Sequence, residues 1–549
     1  MKTMKTITIL LALVLMNGST HAQGIGHSTV YYDYFSNPQL LYANDVAEDI
    51  VADANGNMFV AGEQMKEMST QGVKVIKYNS GGSVTTEGVY NNTSYREYVK
   101  KIIYDGSTYF YVVCNAVHVT TGVSSLLVLK YSATNLTTPI STNFFTGYYN
   151  PVDATIAGSG NSGILFIACN KSNGNASSLA VVRLTKSSLV NSLYIQYFYL
   201  YNYLNTSDQF RETPKDILYS QTDQAVYVAG GITDTTTNKT AHLIIRLGTN
   251  LASVYSIAGT LDFGQNIYNS VALNSSHVYV AGSMRNNPNN KHSWVIRRLN
   301  KLNGATVSSR GYNPGTNFYS EAIKITLATA TDIIVAGYAK DATTSVYNYQ
   351  VGKYSADLLN LASYYGTSLP YTSVLVDAVS NTYGTTYLTG IKTNGSKKNM
   401  FVAGFYALTG GSNFYRDSIV NNNACGNRIT LLPSNLFAIT GYQDKTSNAF
   451  QLSDYKMFTR IYSPIITRLG DETAAATVSA YPNPTNDFVN ISSDQLIQQY
   501  RLFDLQGRTI SSGVNTEDTY TLQLSIGNQA PGIYFISLND GKAIKIVKN

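Results

Sequence analysis

The 549-residue chain is short of charge: 13% of its residues are Asp, Glu, Lys or Arg, against 44% hydrophobic. The formal excess of +6 is scattered and contains no run of Lys or Arg. A nucleic-acid surface needs a clustered basic face, so a nucleic-acid partner is not expected. Cysteine is scarce as well. Cys114, Cys169 and Cys425 are odd in number and far apart, which fits neither a disulfide framework nor the close ligand spacing of a metal site. They read as small buried fillers. His27, His118, His242, His277 and His292 fall at unrelated points along the chain, so a symmetric histidine metal ring is not expected. Gly-x-Ser-x-Gly, His-Glu-x-x-His and a phosphate loop are all missing, and no cofactor is implied. Sustained 3.6-residue periodicity is missing too, which disfavours helical repeats.

The chain also lacks a long hydrophobic run. Ile7 to Met16 is apolar except for Thr8, too short to span a bilayer, and no later segment is long enough. Lys2 and Lys5 precede that run and Thr20-His21-Ala22 follows it, so residues 1–22 read as a signal peptide. No cysteine follows the apolar run to suggest a lipid anchor.

What the chain has is a repeat. A β-rich stretch ending in a small residue recurs eight times, at Gly62, Cys114, Cys169, Gly230, Gly282, Gly337, Gly390 and Gly441, with steps of 51 to 61 residues. A period of this length signals a solenoid or a propeller. An apolar pair with a basic residue follows the small residue in most copies, as in Val75-Ile76-Lys77-Tyr78 and Ile245-Arg246-Leu247. The looser copies are Val402-Ala403-Gly404-Phe405 and Leu452-Ser453-Asp454-Tyr455. In the first copy Asp49–Asp53 is a short strand, Asn55-Gly56 a tight turn, Met58–Gly62 a second strand, Glu63–Gly72 a polar loop, Val73–Tyr78 a third strand and Val84–Tyr90 a fourth. Four antiparallel strands per unit make a propeller blade. The small residue marks a bulge or a close backbone approach.

These patterns predict an all-β chain: an eight-bladed β-propeller over residues 23–468, with seven blades as the alternative and an open β-solenoid third. An N-terminal strand at about residues 28–36 is expected to complete the last blade. The first copy, Asp49 to Gly62 with Val75 to Tyr78, resembles the secreted bacterial propeller-repeat (SBBP-like) family, which implies architecture rather than one activity.

Composition changes at residues 469–476, which read as a linker. Residues 477–549 then hold short alternating strands with turn signals, a small Ig-like β-sandwich by pattern. Tyr481-Pro482-Asn483-Pro484, the Asp504–Arg508 segment, Pro531–Phe535 and the Lys-rich end from Lys542 to Lys548 occur in that order. In this the module resembles the type A C-terminal sorting domain of the type IX secretion system of Bacteroidetes. The resemblance implies export across the outer membrane with the type IX machinery as partner, followed by release or attachment at the cell surface.

Two groups of residues are candidate ligand contacts. Aligning the first strands on Ile50, Ile102, Ile217 and Val271 places Asp45, Glu97, Glu212 and Asn266 at one equivalent site five residues earlier. Such a belt at one mouth of the ring suits a cation or sugar hydroxyls, and paired carboxylates suit a glycosidase. It equally suits side chains that cap turns. Tyrosine is the compositional excess, 44 Tyr against one Trp. The stretch Tyr194 to Tyr203, with Tyr197 and Tyr199, fits either glycan or protein contact or the aromatic preference of outer strands. The functions left open are a secreted binding module for a glycan or protein, a polysaccharide-degrading enzyme, and a structural surface component.

Overall fold

The computed structural model describes residues 26–32, 45–463 and 478–549 apart from short internal stretches, of which 199–209, 407–415 and 445–454 are the longest. The signal-peptide reading, the linker reading and Tyr199 lie outside the described residues. The chain forms two compact units, residues 1–464 and 465–549.

In the first unit the repeat becomes a series of antiparallel sheets, here numbered I to VIII in chain order. Sheet I has strands Val46–Ala52, Met58–Glu67, Thr70–Tyr78 and Val84–Tyr90, paired in that sequence. The inner strands of sheets II to VIII are Tyr95–Tyr104, Tyr149–Ala157, Phe210–Ser220, Ile267–Leu273, Phe318–Leu327, Thr372–Ser380 and Ala424–Leu431. Sheets III and IV are joined by one parallel bridge, Ser177 to Arg211. Each inner strand packs on the inner strand of the next sheet, and that of sheet VIII packs back on Val46–Ala52 of sheet I. The sheets therefore succeed one another in a closed cycle. Sheet VIII contains the N-terminal segment: Gly26–Tyr32 pairs antiparallel with Tyr455–Ser463 as its outermost strand.

Two details differ from the sequence reading. The polar stretch after Gly62 is mostly strand, because the second and third strands of sheet I continue as a long hairpin with Gln64 opposite Gly72. The third strand of sheet VIII is Tyr455–Ser463, beginning where the Leu452–Tyr455 motif ends. Its buried apolar residues, Met457, Phe458 and Ile461, lie beyond that motif.

The small residue has a direct steric cause. Every inner strand carries a β-bulge opposite it, between Ala47 and Asp49, Val99 and Lys101, Pro151 and Asp153, Pro214 and Asp216, Tyr268 and Ser270, Ala322 and Lys324, Leu375 and Asp377, and Gly426 and Arg428. The bulge pushes a carbonyl toward the second strand. A Cβ built on Gly282 would sit 1.9 Å from the Ile267 oxygen, so only a hydrogen fits there without backbone movement.

The basic residue of the third strand is explained as well. Lys77 Nζ donates to Ala133 O (2.8 Å), Lys130 Nζ to Lys186 O (2.7 Å), Arg183 Nε to Thr249 O (2.8 Å) and Arg246 Nη1 to Lys301 O (2.9 Å). Each bond runs from one sheet to the loop after the third strand of the next. Between these latches the sheets bury apolar faces, such as Phe59, Val75, Val112 and Leu129 between I and II. A hydrogen bond to a charged donor contributes about 1.5–3 kcal/mol, so the latches add to the apolar contact rather than replace it.

The second unit has two antiparallel sheets, one of three strands and one of four, over a shared core of Val489, Ile491, Leu502, Ile536 and Ile546. The Tyr-Pro-Asn-Pro turn clamps the last strand: Asn483 Oδ1 accepts from Val547 N (2.8 Å) and Nδ2 donates to Lys545 O (2.7 Å). Asp504 closes its hairpin by accepting from Arg508 N (2.9 Å) and Nε (2.7 Å).

Candidate functional site

The bulges have a second consequence. The residue that follows each one turns toward the centre of the cycle, and in chain order these residues are Asp49, Lys101, Asp153, Asp216, Ser270, Lys324, Asp377 and Arg428. Seven of the eight are charged. They form one network that crosses the axis. Lys101 Nζ lies 3.0 Å from Asp153 Oδ1, and Arg428 Nε lies 3.6 Å from Asp49 Oδ1. Lys324 of sheet VI feels both Asp153 and Asp216 of sheets III and IV.

Each carboxylate also accepts from the backbone of the next sheet. Asp49 Oδ2 takes Ile102 N (2.9 Å), Asp216 Oδ2 takes Val271 N (2.9 Å), Asp377 Oδ2 takes Ile429 N (3.2 Å) and Asp153 Oδ2 takes Ile217 N (3.5 Å). The electrostatics follow from this crowding. Burial alone would lower the Lys101 pKa, but Asp153 and Asp49 outweigh it and hold it above the ordinary lysine value. Arg428 is raised in the same way, with Asp377 and Asp49 overcoming burial. Asp49 is raised by burial, against the pull of Lys101 and Arg428.

The belt predicted five residues before the aligned Ile is buried: Asp45, Glu97 and Glu212 are at most 1% exposed and Asn266 is 5% exposed. Its described bonds tie loops to strands. Asp45 Oδ1 accepts from Met65 N (3.3 Å), and Glu97 Oε1 from Asn92 N (3.0 Å). Asn266 Oδ1 accepts from Arg285 N (3.0 Å) while its Nδ2 donates to Thr240 Oγ1 of the preceding sheet (3.2 Å). Sheets VI and VII use serine at the same place. Ser320 Oγ accepts from Trp294 N (3.1 Å), and Ser373 Oγ from Tyr349 N (3.2 Å), each in the preceding sheet. Tyr197 lies on strand Tyr194–Phe198, opposite Ala180.

The end of the ring where the inner strands begin also gathers aromatic and cationic groups. Tyr95 packs on His118 (5.1 Å between centroids) and Phe144 (4.5 Å), His292 on Tyr319 (5.3 Å), and Tyr442 on Tyr455 (4.8 Å). Lys340 lies over Tyr347 (5.3 Å) and Lys171 over Tyr149 (5.3 Å). Most of these rings are half-buried. The histidines are therefore less scattered than the sequence implies: His118, His242 and His292 share this end, because second strands finish and third strands start there. His242 is held neutral, its pKa pushed down to about 3 by burial and by Arg297. Among the described residues no group of three or more His, Cys, Asp or Glu is placed to hold a metal ion.

At the same end Glu63 stands beside Glu48 and Lys100. Burial and the Glu48 charge push the Glu63 carboxyl up to about 8, against Lys100 and a Val99 N–H. Neither the axial ring nor Glu63 was singled out from sequence. The signal for the ring was present: the residue immediately before each aligned Ile or Val is Asp49, Lys101, Asp216 or Ser270, a polar group inside an otherwise apolar strand.

Residues 479–549 match the Secretion system C-terminal sorting domain family. No curated protein matches the chain. Among solved structures the chain is similar to BamB from Moraxella catarrhalis, at 12% identity over 79% of this chain and 99% of that one, with a TM-score of 0.40. It is similar to the β-propeller domain of the Trilobed protease from Pyrococcus furiosus, at 10% identity over 68% and 98% of the two chains, with a TM-score of 0.38. It is also similar to the polysaccharide lyase Uly1, at 9% identity over 82% and 94%, with a TM-score of 0.39. Among the described residues no helix is long and apolar enough to cross a membrane. The chain is thus an all-β protein with propeller-like neighbours, and its tail is a type IX secretion-system sorting domain, which implies export out of the cell.

Proposed function

We propose that the protein is an exported eight-bladed propeller that binds an extracellular ligand, a glycan ahead of a protein, through the end of the ring where the inner strands begin. Residues 1–22 act as signal peptide, residues 23–468 form the ring, and the Ig-like tail from residue 477 directs type IX export. The observation that carries the binding reading is the contrast between the two polar layers. The axial carboxylates are committed to backbone N–H groups and cations, whereas the entry end offers half-buried Tyr, Phe and His rings beside Lys. A rigid aromatic face with polar edges is the chemistry that stacks on sugar rings.

The test is binding of the secreted full chain to a glycan array, with Tyr95→Ala and Tyr319→Ala variants. The reading expects retention on at least one glycan class and a loss of about tenfold or more with either variant, since one buried aromatic contact is worth about 1–3 kcal/mol. Equal binding by the parent and both variants, or capture of protein ligands alone, overturns the glycan reading. Deleting residues 479–549 is expected to abolish export; unchanged export overturns that role for the tail. A second reading has one observation in its favour. Glu63, held protonated near neutral pH beside the Glu48 carboxylate, is suited to general-acid work on a glycosidic bond. Polysaccharide cleavage lost in Glu63→Gln supports it.

A further inference from the structure

Charge at the entry end of the ring is sorted by depth. Most of its carboxylates lie below the surface: Asp45, Glu97 and Glu212 are at most 1% exposed, Asp234 is 6% exposed and Glu321 7%. They serve the scaffold. Asp234 Oδ1 accepts from Thr236 N (2.9 Å), and Glu321 accepts from Asn269 Nδ2 (2.8 Å) and the Tyr338 hydroxyl (2.6 Å). The cations of the same end reach solvent. Arg96, Arg211 and Lys398 are exposed and Lys239, Arg285 and Lys340 half-buried, at places where inner strands begin, second strands finish or third strands start. Among the described residues of this end, Asp262 is the one exposed acid.

One place on this end joins those cations to an open aromatic ring. After the outer strand of sheet IV, the short strand Asp262–Phe263 pairs with the start of the third strand, Lys239–Gly248, and puts Phe263 opposite Lys239. Phe263 is 50% exposed, the only exposed aromatic side chain among the described residues of the first unit. Lys239 Nζ lies 4.9 Å from its ring centroid and the Arg285 guanidinium of sheet V 5.9 Å from it. The loop that carries the ring is fixed from both sheets. Asp262 Oδ1 accepts from Phe263 N (2.7 Å) and faces Arg285 Nη1 at 3.7 Å, and Arg285 Nη1 donates to Phe263 O (3.2 Å). Asn266 N donates to Thr240 Oγ1 (2.8 Å), and Asn266 Oδ1 accepts from Arg285 N (3.0 Å). Two cations and one carboxylate leave the place with a positive excess beside a ring held open to solvent.

We propose that the ligand is an acidic polysaccharide and that Phe263, Lys239 and Arg285 form a subsite for one of its anionic sugars. The proposal rests on the glycan reading above and adds the charge class. A sugar ring stacks on the Phe263 face while its carboxylate or sulfate group meets Lys239 and Arg285, as charge-assisted hydrogen bonds require. A neutral chain laid over the same place covers two cations without bringing a counter-charge, which costs desolvation and disfavours it. The remaining cations of the entry end extend the same preference along a polymer, and their attraction weakens with salt because they are exposed.

The experiment presents the secreted full chain to a glycan array scored by charge class, with uronate-bearing, sulfated and neutral members, and to polyglutamate as a polyanion without sugar. Retention is expected on acidic members and to fall as salt is raised; the uronate and sulfated arms show which anion is taken. Phe263→Ala and Lys239→Gln are each expected to weaken that retention by about tenfold or more, and Lys239→Arg to restore it. Both side chains reach solvent, so the variants are expected to melt with the parent; should Phe263→Ala fail to fold, Phe263→Leu removes the stacking face and keeps the apolar contact. Retention on neutral glycans alone overturns this proposal and leaves the glycan reading standing, whereas retention on no glycan overturns both. Equal binding to polyglutamate, or acidic-glycan binding unchanged by Phe263→Ala and Lys239→Gln, overturns the subsite.

Discussion

Lys101→Met tests whether the axial network holds neighbouring sheets together. The substitution keeps the length and apolar stem of the side chain and removes only the charge. The Lys101 ammonium lies 3.0 Å from Asp153 and also neutralises Asp49, whose side chains are 15% and 6% exposed. Removing one partner of a buried pair costs about 3–5 kcal/mol, because the other charge stays buried and uncompensated. Lys101 keeps 28% of its own exposure. Residual hydration at the site brings the expected loss to about 2–4 kcal/mol.

The assay is urea unfolding of the full chain, followed by the fluorescence of Trp294, which is fully buried in sheet V. Asp153→Asn and the double variant complete a cycle. The double variant is expected to lose less than the sum of the singles by about 1–3 kcal/mol. The loss should also be nearly the same at low and high salt, since buried pairs are poorly screened. A loss below about 0.5 kcal/mol, or additive singles, would mean that the two side chains are neighbours without being energetic partners.

Three further outcomes follow. Gly282→Ala places a methyl against the Ile267 carbonyl and is expected to cost about 1–3 kcal/mol in the same urea assay, whereas Cys114→Ala, at the equivalent place with a Cβ already present, should stay within about 1 kcal/mol. Cys114, Cys169 and Cys425 are buried, and burial raises all three thiols, Cys425 to about 12; a thiol reagent at pH 8 is expected to label none in the folded chain and all three in denaturant. The Glu63 carboxyl, at about 8 when folded against 4.5 ordinarily, makes stability fall as pH rises through 8, and Glu63→Gln should remove that part of the decline in a melting series.

Much of the fold was legible because it rests on backbone sterics that repeat. The small residue opposite each bulge recurs because the same carbonyl crowds the same spot, and the basic residue of the third strand recurs in sheets I to IV because the same loop accepts the same latch. Where another group solves the problem, the pattern weakens. Cys114 and Cys169 stand in for glycine, and Arg460 of sheet VIII sits within Tyr455–Ser463, off the expected spacing.

The site was less legible for a physical reason. The carboxylates at Asp45 and Glu97 attract attention as a repeated polar column, but their described bonds serve loops and strands. The axial residues vary in sign and chemistry from sheet to sheet, four Asp among Lys, Arg and Ser, so no one residue type marks every copy. Their common feature is position after a bulge, and the bulge is visible only in the register.

The closed cycle is tested most directly by a cross-link at its seam. Thr29 of the N-terminal strand is the register partner of Ile461 in the third strand of sheet VIII. Cysteines at these two places, in the oxidised full chain, are expected to join within one molecule in near-complete yield, leave the protein monomeric and raise its melting temperature. A bond that forms only between molecules, or none at all, would show that the first strand does not close the last sheet.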